Sequence, residues 1–343
     1  MPATASREAG SNALSDSATF YFVASNGKLV AARRSDGSLL WESPGARLSA
    51  RNTVRSGGVV SVGASATLYG TGTDDGVSRW SVDLGFPSAD NCVTSATATV
   101  VIACTPDWKV FAIDAVSGAV RWTVTLRDSL NGLPTLIGTA VSGDTVYAVV
   151  KQLYSTTVGY AQGLFFALSL ADGHVLSLTR DGNYTDFSGY VGTLAIVGRI
   201  LVVPHLIANK LTGIDRFTSQ VAWRVNGDAG WAGFVEVPTV VDGVLYAASA
   251  DRRVYAIRAT TGGVEWKSDI LEGSQLIAAA CGNVVATWTG SNVRILDRAT
   301  GRYLGIINDE MPDGTYGITS PPYTDGKELF LRSQKEYRKY SCP

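Results

Sequence analysis

The chain has 343 residues, enough for two or three ordinary domains or one large repeat array, and its 45% hydrophobic content excludes a disordered chain. Its 29 basic and 30 acidic residues leave a formal charge of −1, which argues against nucleic acid or a strongly anionic surface as partner. Glycine is abundant at 37, methionine scarce at 2, and short runs of Val, Thr, Tyr and Trp give a β composition.

Taken in chain order, the opening MPATASREAGSNALSDSAT (1–19) has no basic segment leading into an apolar one, so no signal peptide is read there. Residues 1–18 are expected to be a weakly ordered segment or a ring-closing strand. ATFYFVASNGKLVAARRSDGSLLW (18–41) then supplies three strands and ends in a pattern that recurs. A glycine precedes a Trp by four residues at Gly37, Gly76, Gly118 and Gly262; Gly173 and Gly301 lack the Trp, and Ser219 replaces the glycine before Trp223. Successive anchors are 39, 42, 55, 46, 43 and 39 residues apart. A period near 40 built of β-type runs is the signature of a propeller whose repeat is a four-stranded blade.

The best-preserved repeat reads as VEVPTVVDG (235–243), strand a and its turn, then VLYAASADR (244–252), strand b. RVYAIRATTGG (253–263) is strand c with its turn, and VEWKSDI is strand d. Asp242-Gly243 and Gly262 supply the positive φ that tight hairpins need. The Trp of strand d is expected to wedge against the neighbouring blade, as are Trp41, Trp80, Trp122, Trp223 and Trp266 generally. After the seventh anchor, 318–342 repeats a, b and c without a d strand. The expectation is a single all-β propeller over 1–343, of eight four-stranded blades, or seven if the two chain ends share one.

The string small-x-Asp-x-x-Thr/Ser-Gly-x-x-x-Trp resembles the repeat of the PQQ-binding-like, quinoprotein alcohol dehydrogenase-like propeller superfamily. That superfamily contains large quinoprotein dehydrogenases and also cofactor-free propellers, among them the lipoprotein of the outer-membrane barrel-assembly machinery. The resemblance covers nearly the whole chain, and the length is similar to the cofactor-free group. Fold by itself implies neither chemistry. Family dehydrogenases use adjacent cysteines, a metal held by carboxylates and amides, and an Asp base. Here Cys92, Cys104, Cys281 and Cys342 are far apart in sequence. No PQQ, other cofactor or metal is expected, and no catalytic residue is assigned.

Other chemical signals are thin. The two histidines, His174 and His205, fall in different blades, too little for a zinc site or a catalytic triad. YGTGTDDG (69–76) has the glycines of a phosphate loop but no helix after it, and reads as a hairpin. Asp74-Asp75 lacks the spaced oxygen ligands of a calcium loop. The pairs Arg33-Arg34 and Arg252-Arg253 are read as solvated strand ends at corresponding repeat positions. TLAIVGRILVVPHLIA (193–208) is the most apolar passage, yet Arg199 and Pro204 break it into two strands. No run reaches the ~18 apolar residues of a membrane span.

Aligning Gly118 with Gly262 puts Cys92 and Cys104 on either side of an a–b turn, within range of a disulfide. Cys281 falls in the a–b turn of blade 7 and Cys342 near the c–d end of blade 8, so a second bond is conceivable. Four cysteines allow three pairings. Disulfides favour an oxidising compartment, periplasmic or extracellular. NYT (183–185) is a glycosylation triplet, common by chance.

The d–a connections and b–c turns collect aromatic residues: Trp108, Tyr154, Tyr160, Tyr184, Phe187, Tyr190, Trp231 and Phe234, with Phe86 and Tyr316 beside them. Blade 4 carries one insertion there, KQLYSTTVGYAQG (151–163). Aromatic loops on a rigid scaffold suit recognition of a protein or a glycan. The expected function is a non-catalytic, exported scaffold holding a protein partner of a cell-envelope complex on this face, with a carbohydrate- or small-ligand-binding propeller as the alternative and a PQQ-dependent dehydrogenase behind both.

Overall fold

The computed structural model describes residues 13–23, 27–44, 53–56, 58–64, 66–85, 92–105, 107–126, 133–153, 161–181, 194–205, 210–228, 233–234, 238–272, 277–289, 292–307, 322–324, 326–332 and 337–343. Every regular element among them is a β-strand. The strands form antiparallel sheets in which spatial order follows chain order, seven sheets of four strands and one of three among the described residues. The fold is a β-propeller. Its blades span 13–42, 53–83, 92–125, 133–181, 195–226, 239–267, 277–307 and, with three strands, 323–341. In blade 3 the strands are Cys92–Ala96, Val100–Cys104, Lys109–Asp114 and Val120–Thr125, called a to d here and in the equivalent blades.

Strands b and c are apolar without alternation because neighbouring blades cover both of their faces. Val100–Cys104 is buried at every position, and so is Val244–Ser249. Strand d alternates instead, since its outer side meets solvent: in Val120–Thr125 only Trp122 is fully buried. The core is therefore a series of inter-blade layers. One joins Ile102, Val110 and Trp122 of blade 3 to Val146, Leu164 and Phe166 of blade 4. Another joins Tyr246, Val254 and Ala256 of blade 6 to Ala278, Val285 and Leu296 of blade 7.

The chain divides into two compact units, Glu8–Leu194 with blades 1 to 4 and Ala195–Pro343 with blades 5 to 8. Within the first, strands a of successive blades lie against one another; in the second, those of blades 6, 7 and 8 do.

The recurrent c–d hairpin has one geometry throughout. The anchor N–H donates to the carbonyl four residues back: Gly37 to Arg33, Gly76 to Gly72, Gly118 to Asp114, Gly173 to Ser169, Ser219 to Asp215, Gly262 to Arg258 and Gly301 to Asp297, at 2.7–3.1 Å. The anchor's φ is positive in each, 74° at Gly118 and 57° at Ser219. An aspartate caps the turn from either of two places. Asp114 accepts from the N–H groups of Val116 and Ser117, whereas Asp36 and Asp75 accept from the residue two further on, Ser38 and Val77. In blade 6, which has neither, the Thr261 hydroxyl accepts the Gly263 N–H instead.

The five expected tryptophans each lie at a blade boundary inside one unit. The indole N–H of Trp41 donates to the Thr73 carbonyl, that of Trp80 to Ala115 and that of Trp122 to Leu170, at 2.9–3.0 Å. In the second unit Trp223 donates to Ala259 and Trp266 to Arg298. The acceptor is always three residues before the next blade's anchor glycine. The ring lies on that glycine: a Cβ added to Gly118 would come within 2.6 Å of Trp80, and one on Gly301 within 2.4 Å of Trp266. The small residue of the motif faces the Trp of its own hairpin, as Ala112 pairs with Trp122 and Gly213 with Trp223, and a β-bulge follows it.

Several expectations are corrected. The blade 4 insertion is not wholly a loop: Lys151, Gln152 and Leu153 pair with Gly163, Gln162 and Ala161, so the b–c hairpin lengthens as a ladder, and Leu133–Ser142 runs alongside it. Arg33-Arg34 and Arg252-Arg253 do not correspond; they sit at opposite ends of strand c. Ala13–Ser15 is strand a of blade 1, paired with Thr19–Val23. Residues 1–12 lie outside the described residues, as does any fourth strand of blade 8.

Cys281 and Cys342 form a disulfide, with Cα atoms 5.7 Å apart, joining strand a of blade 7 to the end of blade 8. Asn283 N–H donates to the Pro343 carbonyl and Gly282 N–H to Gly326 beside it. Cys104 is disulfide-bonded, and Cys92 is its directly paired neighbour in the ladder. No helix of the described residues is long and apolar enough to cross a membrane.

Candidate functional site

At the b–c end of the blades, the backbone builds one arrangement repeatedly. A leucine follows strand d, buries its side chain and donates its N–H to the b–c turn of the same blade: Leu84 to Ala66, Leu126 to Trp108 and Leu271 to Arg252. The accepting residue is the one the turn presents, so its backbone is held while its side chain is free to vary among blades. It is Ala, Trp or Arg. In blades 3 and 6 this residue is left-handed, Trp108 with φ 60° and Arg252 with φ 70°. Each turn is also closed by an N–H donation, Trp108 to the Thr105 carbonyl at 3.0 Å and Arg252 to the Ser249 carbonyl at 3.1 Å. For a bulky side chain that conformation is an outlier costing about 1–2 kcal/mol, where Gly or Asn would cost little. Backbone strain of this kind gathers at sites with a task.

Charges brace both turns. In blade 3, Asp107 takes the Thr105 hydroxyl and pairs with Lys109 at 2.7 Å. Burial acts to raise the Asp107 pKa, but Lys109 and Thr105 together outweigh it and hold the carboxyl below its ordinary range. In blade 6, Asp251 accepts from Arg253 N–H and from the Tyr255 hydroxyl, while Asp228 N–H donates to Asp251 and to Tyr255. Asp228 in turn pairs with Lys267 at 2.8 Å and Arg253 at 3.2 Å. Burial first, and Asp251 second, push the Tyr255 hydroxyl far up. Asp107, shifted down, and Tyr255, shifted up, each hold one protonation state across neutrality. Among the described residues no three or more His, Cys, Asp or Glu side chains are placed to hold a metal.

Of the residues read as partner-binding, Tyr154, Tyr160, Tyr184, Phe187, Tyr190 and Trp231 lie outside the described residues, as do Phe86 and Tyr316. Trp108 is half-buried and packs against the blade 3–4 core. Phe234 is 0% exposed and packs edge-on to Tyr255, ring centres 5.3 Å apart. It is a core residue. An apolar ring next to a buried tyrosine gains about 2–3 kcal/mol by turning inward, and Phe234 does so. Arg252 was missed, although its offset in SADRR (249–253) is that of Trp108 in TPDWK (105–109). Charge pairing disguised it as a strand end. His174 is exposed, its Nδ1 2.7 Å from Asp172. The hairpin of YGTGTDDG has Asp74 and Asp75 both on Arg79, at 2.9 Å, with Gly70 leaving room for Trp80 rather than for a phosphate.

The comparisons bear on fold and family. The chain matches the family described as "Outer membrane protein assembly factor BamB" over residues 2–223 and 161–338. No curated protein matches the sequence. Among solved structures it is similar to BamB from Moraxella catarrhalis, with TM-score 0.66 and 18% identity over 95% of this chain and 92% of that one. It is also similar to the computationally designed Ika8 protein, TM-score 0.71 at 15% identity over 97% and 96%. A third is the C-terminal WD40 domain of Sif2, TM-score 0.68 at 12% identity over 97% of each chain. These identities speak to fold alone.

Proposed function

The chain belongs to the family of the outer membrane protein assembly factor BamB, and from that membership we propose that it is a non-catalytic, exported scaffold that holds a protein partner at the b–c end of its blades. The observation that carries this reading is the presented residue of the b–c turn. Trp108 and Arg252 are held left-handed on turns whose backbone is otherwise fully committed, and Trp and Arg are the side chains most enriched in interface hot spots. The disulfide Cys281–Cys342 agrees with an oxidising compartment, and the family's printed name with a cell-envelope assembly.

The test is capture of partners from the native envelope by full-length protein. Trp108→Ala and Arg252→Ala should each weaken retention at least tenfold, the magnitude about 1.4 kcal/mol supplies. Val116→Ala, an exposed residue at the c–d end, should leave it unchanged. Equal retention by all three variants, or a bound quinone with dehydrogenase turnover, rules the proposal out.

A further inference from the structure

Blade 7 contains a buried cation that its position in the repeat does not call for. Arg294 is the second residue of strand c, Val293–Asp297, paired with Thr287 on one side and Ile306 on the other. The equivalent residue, one before the partner of the Trp position, is Tyr69, Phe111, Phe166 and Tyr255 in blades 2, 3, 4 and 6. Four blades thus fill this place with an aromatic ring. Arg294 is only 8% exposed, and its guanidinium lies 6.0 Å from the Tyr303 ring centre. Its Nη2 is 3.1 Å from Glu272 Oε2, and its Nε has no hydrogen-bond partner.

The half-used edge is informative. Nε–H and one Nη2–H of a guanidinium point the same way and together take both oxygens of a carboxylate. Glu272 uses only the Nη2 half, and its own side chain is 93% exposed, so one oxygen is spent on the arginine from solvent. Such an exposed contact is weak, whereas a buried guanidinium left half-paired is costly. Glu272 directly follows Leu271, whose N–H is bound to the Arg252 carbonyl. The edge therefore borders the strained turn of the same unit.

We propose that the Nε/Nη2 edge of Arg294 is a receptor for a carboxylate of a protein partner, with Glu272 as the internal placeholder that the partner's acid displaces. This rests on the reading that the b–c end is the binding end, and it adds the chemistry recognised there. No covalent step is involved: one carboxylate leaves the edge and another takes both of its N–H groups.

The experiment follows the Arg294 Nε–H resonance of the full chain by nitrogen-15 NMR during titration with two peptides. Acetyl-Gly-Asp-Gly-amide offers a side-chain acid; acetyl-Gly-Ala-Gly with a free end offers a terminal one. Glu272→Gln, a surface change, should strengthen binding of one or both peptides at least fivefold over the unchanged protein, with a downfield Nε–H shift. Arg294→Lys keeps the charge but loses the fork, and should weaken binding at least tenfold. A response to either peptide supports the receptor and identifies which acid it takes. No shift with either peptide in Glu272→Gln overturns it, an internal water then being the occupant. The titration reads the edge alone and envelope capture by the Trp108 and Arg252 variants reads the binding end, so failure of one is distinguishable from failure of the other.

Discussion

At the scale of the residue, the anchor glycine answers two demands that look like one. Its φ is positive, which any L side chain resists by about 1–2 kcal/mol. In five boundaries it also lies under the preceding blade's indole, where a Cβ has no room. Gly37 separates the two, since its φ is 74° with nothing within 4 Å of the added atom. Gly37→Ala should therefore lose only the conformational part. Gly118→Ala should lose that and a further ~1–3 kcal/mol of overpacking against Trp80. Urea midpoints of the two variants compare them directly; equal shifts would mean the ring moves aside freely. The capping aspartates give a pH dependence. Arg121, then the Ser117 N–H, holds Asp114 far below the ordinary carboxylate range, and Ser169 with His174 lowers Asp172 to about 2. A depressed folded pKa stabilises above the ordinary value of 3.8 and ceases to do so as pH falls through the folded one. Stability should fall between pH 4 and 2, and Asp114→Asn should flatten that fall in a pH series of thermal midpoints.

At the scale of the element, strand d couples blades through one hydrogen bond and one ring. Trp122 Nε1 donates to the Leu170 carbonyl across 48 residues of sequence. Trp122→Phe keeps most of the ring and strands that carbonyl, so about 1–3 kcal/mol should be lost; Trp122→Ala and Trp266→Ala should each lose about 3–5. Denaturant midpoints that barely move in all three would refute the docking account. The device lapses where its parts are missing. Ser177 stands at the Trp position of blade 4 and Ser219 at the anchor of blade 5. Blade 7 has Gly305 at the Trp position, so its strand d offers blade 8 no indole; Trp288 of its strand b packs in the layer with Leu329 and Leu331 instead.

At the scale of the whole molecule, the disulfide stands where the last strand-d indole is absent. Cys281–Cys342 spans 61 residues and fastens the end of blade 8 to blade 7. Closing a loop of that length restricts the unfolded chain by about 4 kcal/mol in the chain-entropy account. Cys342→Ser or a reducing agent should lower the thermal midpoint clearly and raise hydrogen exchange first in 323–341. A midpoint insensitive to reduction would show that pairing across blades 7 and 8 suffices alone.

The turn chemistry, the strands, the repeat and the blade-boundary role of Trp were legible in the sequence because each is written within about a dozen consecutive residues. A hairpin needs its left-handed anchor and a side-chain oxygen to cap it, aspartate in most blades and Thr261 in blade 6, wherever it lies in the fold. What those residues touch was not legible. That the glycine seats the previous blade's ring, that Phe234 turns inward and that Arg294 is buried with a spare edge all depend on partners some 20 to 50 residues away. Packing between blades is a non-local property, and one repeat read alone does not contain its neighbour; only the assembled blades bring the indole to the carbonyl and the arginine into the core.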